Sequence, residues 1–182
     1  MRILSVDPKS LHDVVHQSAR SGGGVEVRSL HILHARADAL PDDVDAVVVT
    51  SDLQGIAPTH ARDGATDLLG VAVAEAVFEL RDAGVVPERI GVFLAGDLYS
   101  SPGANVRGAN GDCTPVWQTF SDHCTWVIGV QGNHDFYSSD LHAVLARNAA
   151  LIDGSIEEVG GVCVGGVGLI AGVKMKPNRR DE

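Results

Sequence analysis

Three apolar runs in this chain end in the same way. "VDAVVVT" opens into "SDLQG", "RIGVFL" into "AGDLY" and "TWVIGV" into "QGNHD", so each run delivers polar groups at its C-terminal end. An apolar, largely β-branched run without polar alternation reads as a strand covered on both faces. Such strands belong to parallel sheets, and in open α/β sheets the carboxyl ends of neighbouring parallel strands are where sites are built. Asp52 with Gln54, then Asp97, then Asn133 with His134 are therefore expected to converge, although they lie far apart in sequence.

The segments between these runs supply helices. "TDLLGVAVAEAVFELRDAG" has a candidate N-cap in Thr66, apolar residues three and four apart, and a glycine stop at Gly84. "PVWQTFSDHC" predicts a helix starting at Pro115, and "SSDLHAVLARN" another. Near the N-terminus, Leu11, Val14, Val15 and Ala19 have helical spacing and run into "SGGG", which predicts a first helix; "VEVRSLHILHARADALPDD" shows no decisive period. "LIDGSIEEVGGVCVGGVGLIAG" reads as short strands joined by glycine turns, the start of a second sheet, and lacks the strand-turn-helix setting of a dinucleotide fingerprint. Strands alternating with helices define an α/β fold.

Composition narrows the function. With 182 residues and 45% hydrophobic content the chain can bury one substantial core, so residues 1–182 form one domain. A formal charge of -10 leaves no basic patch to hold nucleic acid by phosphate neutralisation. Three cysteines, Cys113, Cys124 and Cys163, show neither paired nor zinc-type spacing, which fits a reducing, cytoplasmic setting. The longest apolar run, "VGGVCVGGVGLIAGV", is too short and glycine-rich to span a bilayer, so no membrane partner is expected.

Two aspartates, an amide oxygen and an imidazole converging on one point are costly to hold together unless something positive sits among them. A hard or borderline divalent cation, or a pair, is the usual solution. On "SDLQG", "AGDLY" and "QGNHD", in that order, the chain resembles the calcineurin-like metallophosphoesterases, over residues 45 to 137 and by strand pattern to about residue 172. The resemblance implies an αββα sandwich and two divalent metal ions, Mn, Fe or Zn. It implies that Asp52 ligates the first metal, Asp97 bridges both and Asn133 gives its amide oxygen to the second. His134 would stand beside the phosphoryl group and stabilise charge or protonate the leaving oxygen, with Asp135 orienting its ring. The implied activity is hydrolysis of a small phosphomonoester or phosphodiester by in-line attack of activated water on phosphorus.

Two departures from the family pattern qualify this. Gln54 stands where most members have histidine, trading an imidazole for a neutral oxygen and favouring harder metals. After His142 there is no histidine, so the family's later histidine and Gly-His-x-His element have no counterpart; the expectation is an N-terminal portion of a longer phosphoesterase, poorly active by itself. His31, His34, His60, His123 and His142 read as surface or capping residues rather than replacement ligands. The alternative function is a non-catalytic metal- or phosphate-binding module with the same fold. The loop "YSSPGANVRGANGDCTP" is either a solvated connection or a substrate rim, in which Arg107 would meet a phosphate. Strands such as "GVCVGGVGLIAG" would expose apolar faces and favour self-association.

Overall fold

The structure, a computed structural model, describes residues 1–60, 65–171 and 179–180. Most of the charged tail "KMKPNRRDE" lies outside the described residues. The N-terminal segment differs from the sequence reading: Leu11, Val14, Val15 and Ala19 lie not on a helix but on a long strand, β1 (Ile3–Ala19), paired antiparallel with β2 (Val25–Ala37). In a strand the spacing of those apolar residues splits between two faces. Val14 is buried, whereas Leu11 and Val15 are 38% and 58% exposed. The glycines that resembled a helix stop make the hairpin turn instead. Gly23 and Gly24 have φ of +90° and +85°, which glycine alone adopts cheaply, and the Arg20 N–H reaches the Gly24 carbonyl at 3.0 Å. Pairing along the hairpin overrides a local helical signal that was weak from the start.

The remaining elements follow in chain order: β3 (Ala46–Thr50), β4 (Ile56–Pro58), β5 (Thr66–Leu68), α1 (Leu69–Asp82), β6 (Ile90–Leu94), β7 (Gly111–Asp112), α2 (Thr114–His123), β8 (Trp126–Gly129), β9 (Asp135–Phe136), α3 (Leu141–Asn148), β10 (Ala149–Leu151), β11 (Ile156–Val159), β12 (Val162–Gly165), β13 (Ile170–Ala171) and β14 (Arg179–Arg180). The central sheet is parallel throughout, in the order β10-β8-β6-β3, with helices in the connections. A second sheet, β2-β1-β4-β5, joins the hairpin to the segment that leads into α1. The class is α/β.

Alternation along the strands divides the core. Ile90, Val92, Leu94 and Val127 are at most 1% exposed and pack on the face that meets α1, α2 and Val14 of the hairpin. The opposite face is smaller: Phe93 and Trp126 meet at 5.1 Å between ring centres, and Val159 and Val164 of the β11-β12 hairpin pack against them. Gly91 makes room for this contact, since a Cβ there would lie 2.2 Å from the Trp126 ring. Two local expectations need correcting. "VDAVVVT" is not a strand covered on both faces: β3 is at the edge of the central sheet and Val49 is 66% exposed. Thr66 is not a cap but part of β5, and α1 begins after Leu68 without a side-chain cap. Its glycine stop is in place, because Gly84 has φ +72° and donates to the Arg81 carbonyl at 2.8 Å. No helix among the described residues is long and apolar enough to cross a membrane.

Candidate functional site

The parallel ladder does not stop where β3 and β6 end. The Ala95 N–H donates to the Thr50 carbonyl at 2.9 Å and the Asp52 N–H to the Gly96 carbonyl at 3.0 Å, so the two chains leave the sheet side by side. Both then turn through an aspartate in the left-handed region, Asp52 at φ +54° and Asp97 at φ +55°. Side chains other than glycine seldom adopt this conformation, and short polar Asp and Asn tolerate it best. Next to them, the exit of β8 is drawn in close. A Cβ on Gly132 would lie 2.0 Å from the Asp97 nitrogen and 2.2 Å from its Oδ1, and a Cβ on Gly96 2.7 Å from the Gly132 nitrogen. Only glycines let the two turns pack at this distance.

Asp52, Asp97 and Asn133 consequently line one cleft of about 180 Å³, closed on the other side by Val167, Gly168 and Leu169. Burial holds the Asp97 carboxyl above the usual carboxylate range, and the neighbouring Asp135 and Asp52 carboxylates push it the same way. The His134 backbone N–H, 3.3 Å from Asp97 Oδ1, and the His134 ring act against this and offset it only in part.

Asp135 differs from the reading of the sequence. It does not orient the His134 ring, because its carboxylate is fully buried and faces the opposite way. Oδ1 accepts from the Leu98 N–H at 2.8 Å, the Tyr99 N–H at 3.2 Å and the Cys113 thiol at 3.1 Å, and Oδ2 accepts from the Gly132 N–H at 2.9 Å. Asp135 thus ties the turn after Asp97 to the turn before Asn133. Burial, reinforced by Asp135, pushes the Cys113 thiol far up, so it stays a neutral donor. The His134 ring is positioned by Asn110, whose Oδ1 lies 2.9 Å from its Nδ1. Asn110 arrives there because β7 pairs with β9 and the Gly111 N–H reaches the His134 carbonyl at 3.2 Å. Nothing in the sequence of this loop marks Asn110, and the spacing of Cys113 from the other cysteines gives no sign of its contact with Asp135.

Gln54 and Arg107 lie on the other side of Asp52. They line a larger cavity, about 370 Å³, between the N-terminal hairpin and the loop after β6, and Asp52 borders both spaces. The remaining histidines named from the sequence lie elsewhere where their partners are defined: His31 faces Asp13, His60 faces Glu79, and His123 lies against the Phe78 ring.

The donors at the cleft suit one hard cation. Two carboxylates and an amide oxygen are oxygen ligands, and a cation between Asp52 and Asp97 would favour the ionised form of Asp97 that burial, with the neighbouring carboxylates, disfavours. Nitrogen ligands of the kind that Zn favours are not gathered there: among the described residues, no three His, Cys, Asp or Glu side chains are grouped to hold a metal. No family model, no curated protein and no solved structure matched this chain.

Proposed function

We propose that this chain carries the metal-binding half of a phosphoesterase centre of the calcineurin-like kind, with an αββα sandwich as its complete fold. The observation that carries the reading is the pair of aspartates, Asp52 and Asp97, each in the left-handed conformation at the end of adjacent parallel strands, sharing a cleft with Asn133. Strain of this sort is retained where the surrounding structure enforces it, and it concentrates at functional sites.

Asp52, Asp97 and Asn133 would hold the divalent cation; the two-cation centre of the sequence reading needs donors beyond these three. When bound, the cation supplies charge neutralisation for the phosphoryl oxygens and activation of water. His134, held at Nδ1 by Asn110, presents Nε2 to the leaving oxygen and transfers a proton there. Asp135 keeps the two turns in register so that Asp97 and His134 stay on the same substrate. The substrate is a small phosphoester, and Arg107 is placed to meet an anionic part of it.

The test separates binding from chemistry. Purified protein is assayed with Mn2+, Mg2+ and Zn2+ on 4-nitrophenyl phosphate and its diester, and metal content is measured for two variants. Asp97→Asn is expected to lose both metal and turnover. His134→Ala is expected to keep its metal and lose rate by about 10² to 10⁴. Equal metal loss in the two variants would refute the division of roles. The second reading is a non-catalytic metal- or phosphate-binding module with the same fold, since only three oxygen donors, Asp52, Asp97 and Asn133, share the cleft. Stoichiometric metal uptake without turnover on either ester, with Asp97→Asn abolishing uptake, would favour that module.

A further inference from the structure

Beside Asp52 and Arg107, the cavity on the hairpin side of Asp52 is built from groups that the phosphoesterase reading does not use. Arg28 and His16 are cross-strand partners on β2 and β1, and Arg107 reaches over from the loop after β6 to place its Nη1 3.1 Å from Ser21 Oγ in the hairpin turn. All of these line the cavity. Two guanidinium groups facing one cavity stand out in a chain of net charge -10, and Asp52 is the carboxylate that shares its lining. Arg28 already has one partner in Glu26, at 2.5 Å, but that bond engages a single Nη and leaves the other N–H groups of the fork to meet a second acceptor.

We infer that this cavity binds a second anionic group of the substrate, a phosphate or a carboxylate, held by Arg28 and Arg107. The ester to be cleaved would then lie across Asp52, in the neighbouring cleft. The substrate class is a phosphoester carrying another anion along its chain, not a simple monophosphate. Asp52 borders both spaces, which makes the geometry directional: its carboxylate repels an anion at one end of the cavity and the arginines attract it at the other. This inference rests on the phosphoesterase reading for the identity of the ester end, but the anion site is defined by residues outside the cleft.

The experiment measures binding to the full chain by calorimetry, in EDTA and again with Mn2+. The probes are alkyl phosphates of three to six carbons, the matching alkanediol bisphosphates, and the matching ω-carboxyalkyl phosphates. For at least one chain length a doubly anionic probe is expected to bind roughly ten- to hundredfold more tightly than the monophosphate. That margin should vanish in Arg28→Ala/Arg107→Ala. Arg28 and Arg107 are exposed, so their truncation spares the core, and circular dichroism confirms the fold of each variant. Bisphosphate favoured over carboxylate identifies a phosphate site, and the reverse a carboxylate site. Equal affinity for singly and doubly anionic probes at every length overturns the inference, as does a margin that survives in the double arginine variant. Because the EDTA arm needs no cation and no turnover, an arginine-dependent margin there without hydrolysis would fault the phosphoesterase reading alone. Hydrolysis without any margin would fault the anion site alone.

Discussion

Asp97 faces conflicting demands. It is partly buried, near two other carboxylates, and held in a left-handed turn, so its charged form is disfavoured and its titration is displaced upward. A carboxyl whose folded-state pKa is raised above its unfolded value contributes stability that is fully present below the unfolded value and is lost as pH rises through the folded one. At neutral pH the metal-free protein therefore bears the cost of an ionised Asp97. Asp97→Asn is expected to raise the melting temperature in EDTA at pH 7, with a smaller effect below pH 4, while removing metal-dependent stabilisation; a melting temperature lowered equally at both pH values would contradict this. Asp135 predicts the opposite behaviour. Its carboxylate accepts three backbone N–H groups and a thiol, so Asp135→Asn turns an NH2 group toward donors and leaves at least one of them unpaired. The loss is about 1–3 kcal/mol per unpaired buried donor, measured by urea denaturation. These two residues also show what was legible at the site. Asp52, Asp97 and Asn133 could be grouped from sequence because each follows an apolar run, and parallel strands bring their exits together. The role of Asp135 could not, since its neighbour in sequence, His134, suggested a neighbour in space. The turn at Asn133 and His134 separates the two side chains: Asp135 goes inward to backbone amides and His134 outward to Asn110.

At the scale of elements, the central strands and α1 to α3 were readable because their patterns are long and agree with their turn signals. The hairpin was not. Its inward positions include the polar residues Ser10, His12, His16 and Ser18, the last two lining a cavity, so the two-residue alternation carries little hydrophobic contrast. The edge position of β3 was equally hidden, because an apolar run does not reveal how many neighbours it will have. Apolar exposure falls both on the glycine-rich segment, where Ile156 and Val167 are 71% and 73% exposed, and on the N-terminal hairpin. Val159 and Val164 pack against the sheet, whereas Val15 and Val27, at 58% and 69% exposure, stand on the outer face of the β1-β2 hairpin with Val25. An apolar patch of this kind favours self-association, and Val15→Lys/Val27→Lys is expected to shift sedimentation toward the monomer without changing the melting temperature by more than a degree or so. The turn offers a complementary test. Replacing Gly23 and Gly24 by alanine forces L side chains into the left-handed region at roughly 1–2 kcal/mol each, with no neighbour to clash. Hydrogen exchange should quicken along β1 and β2 and not in β6 or β8, and the preference for doubly anionic probes should weaken with it. Faster exchange in β6 and β8 would mean that the hairpin is part of the cooperative core.

For the whole molecule, the exits of β3, β6 and β8 are the points where three segments far apart in sequence come together. The chains leave the ladder there, two of them through left-handed aspartates, and three carboxylates lie close enough to influence one another. A cation held by Asp52, Asp97 and Asn133 would join three strands that the sequence separates by more than 30 residues at each step, so its binding should stabilise the fold as a unit and not one loop alone. Ligand linkage sets the size: at a hundred times its dissociation constant, a ligand bound only by the folded state adds about 2.7 kcal/mol. For a domain of this length that corresponds to a rise of about 5–10 °C in melting temperature. Because the donors are oxygens, Mn2+ or Mg2+ should reach this shift, and Zn2+ should show no advantage over them of the kind that imidazole ligands confer. The shift should also fade as pH falls through the raised titration of Asp97, since the proton and the cation compete for the same carboxylate. His134→Ala and Arg28→Ala, which leave all three donors in place, should retain it; Asp97→Asn should abolish it. A wild-type melting curve indifferent to all three metals at pH 7 would show that the cleft holds no cation, and the phosphoesterase reading would fall with it.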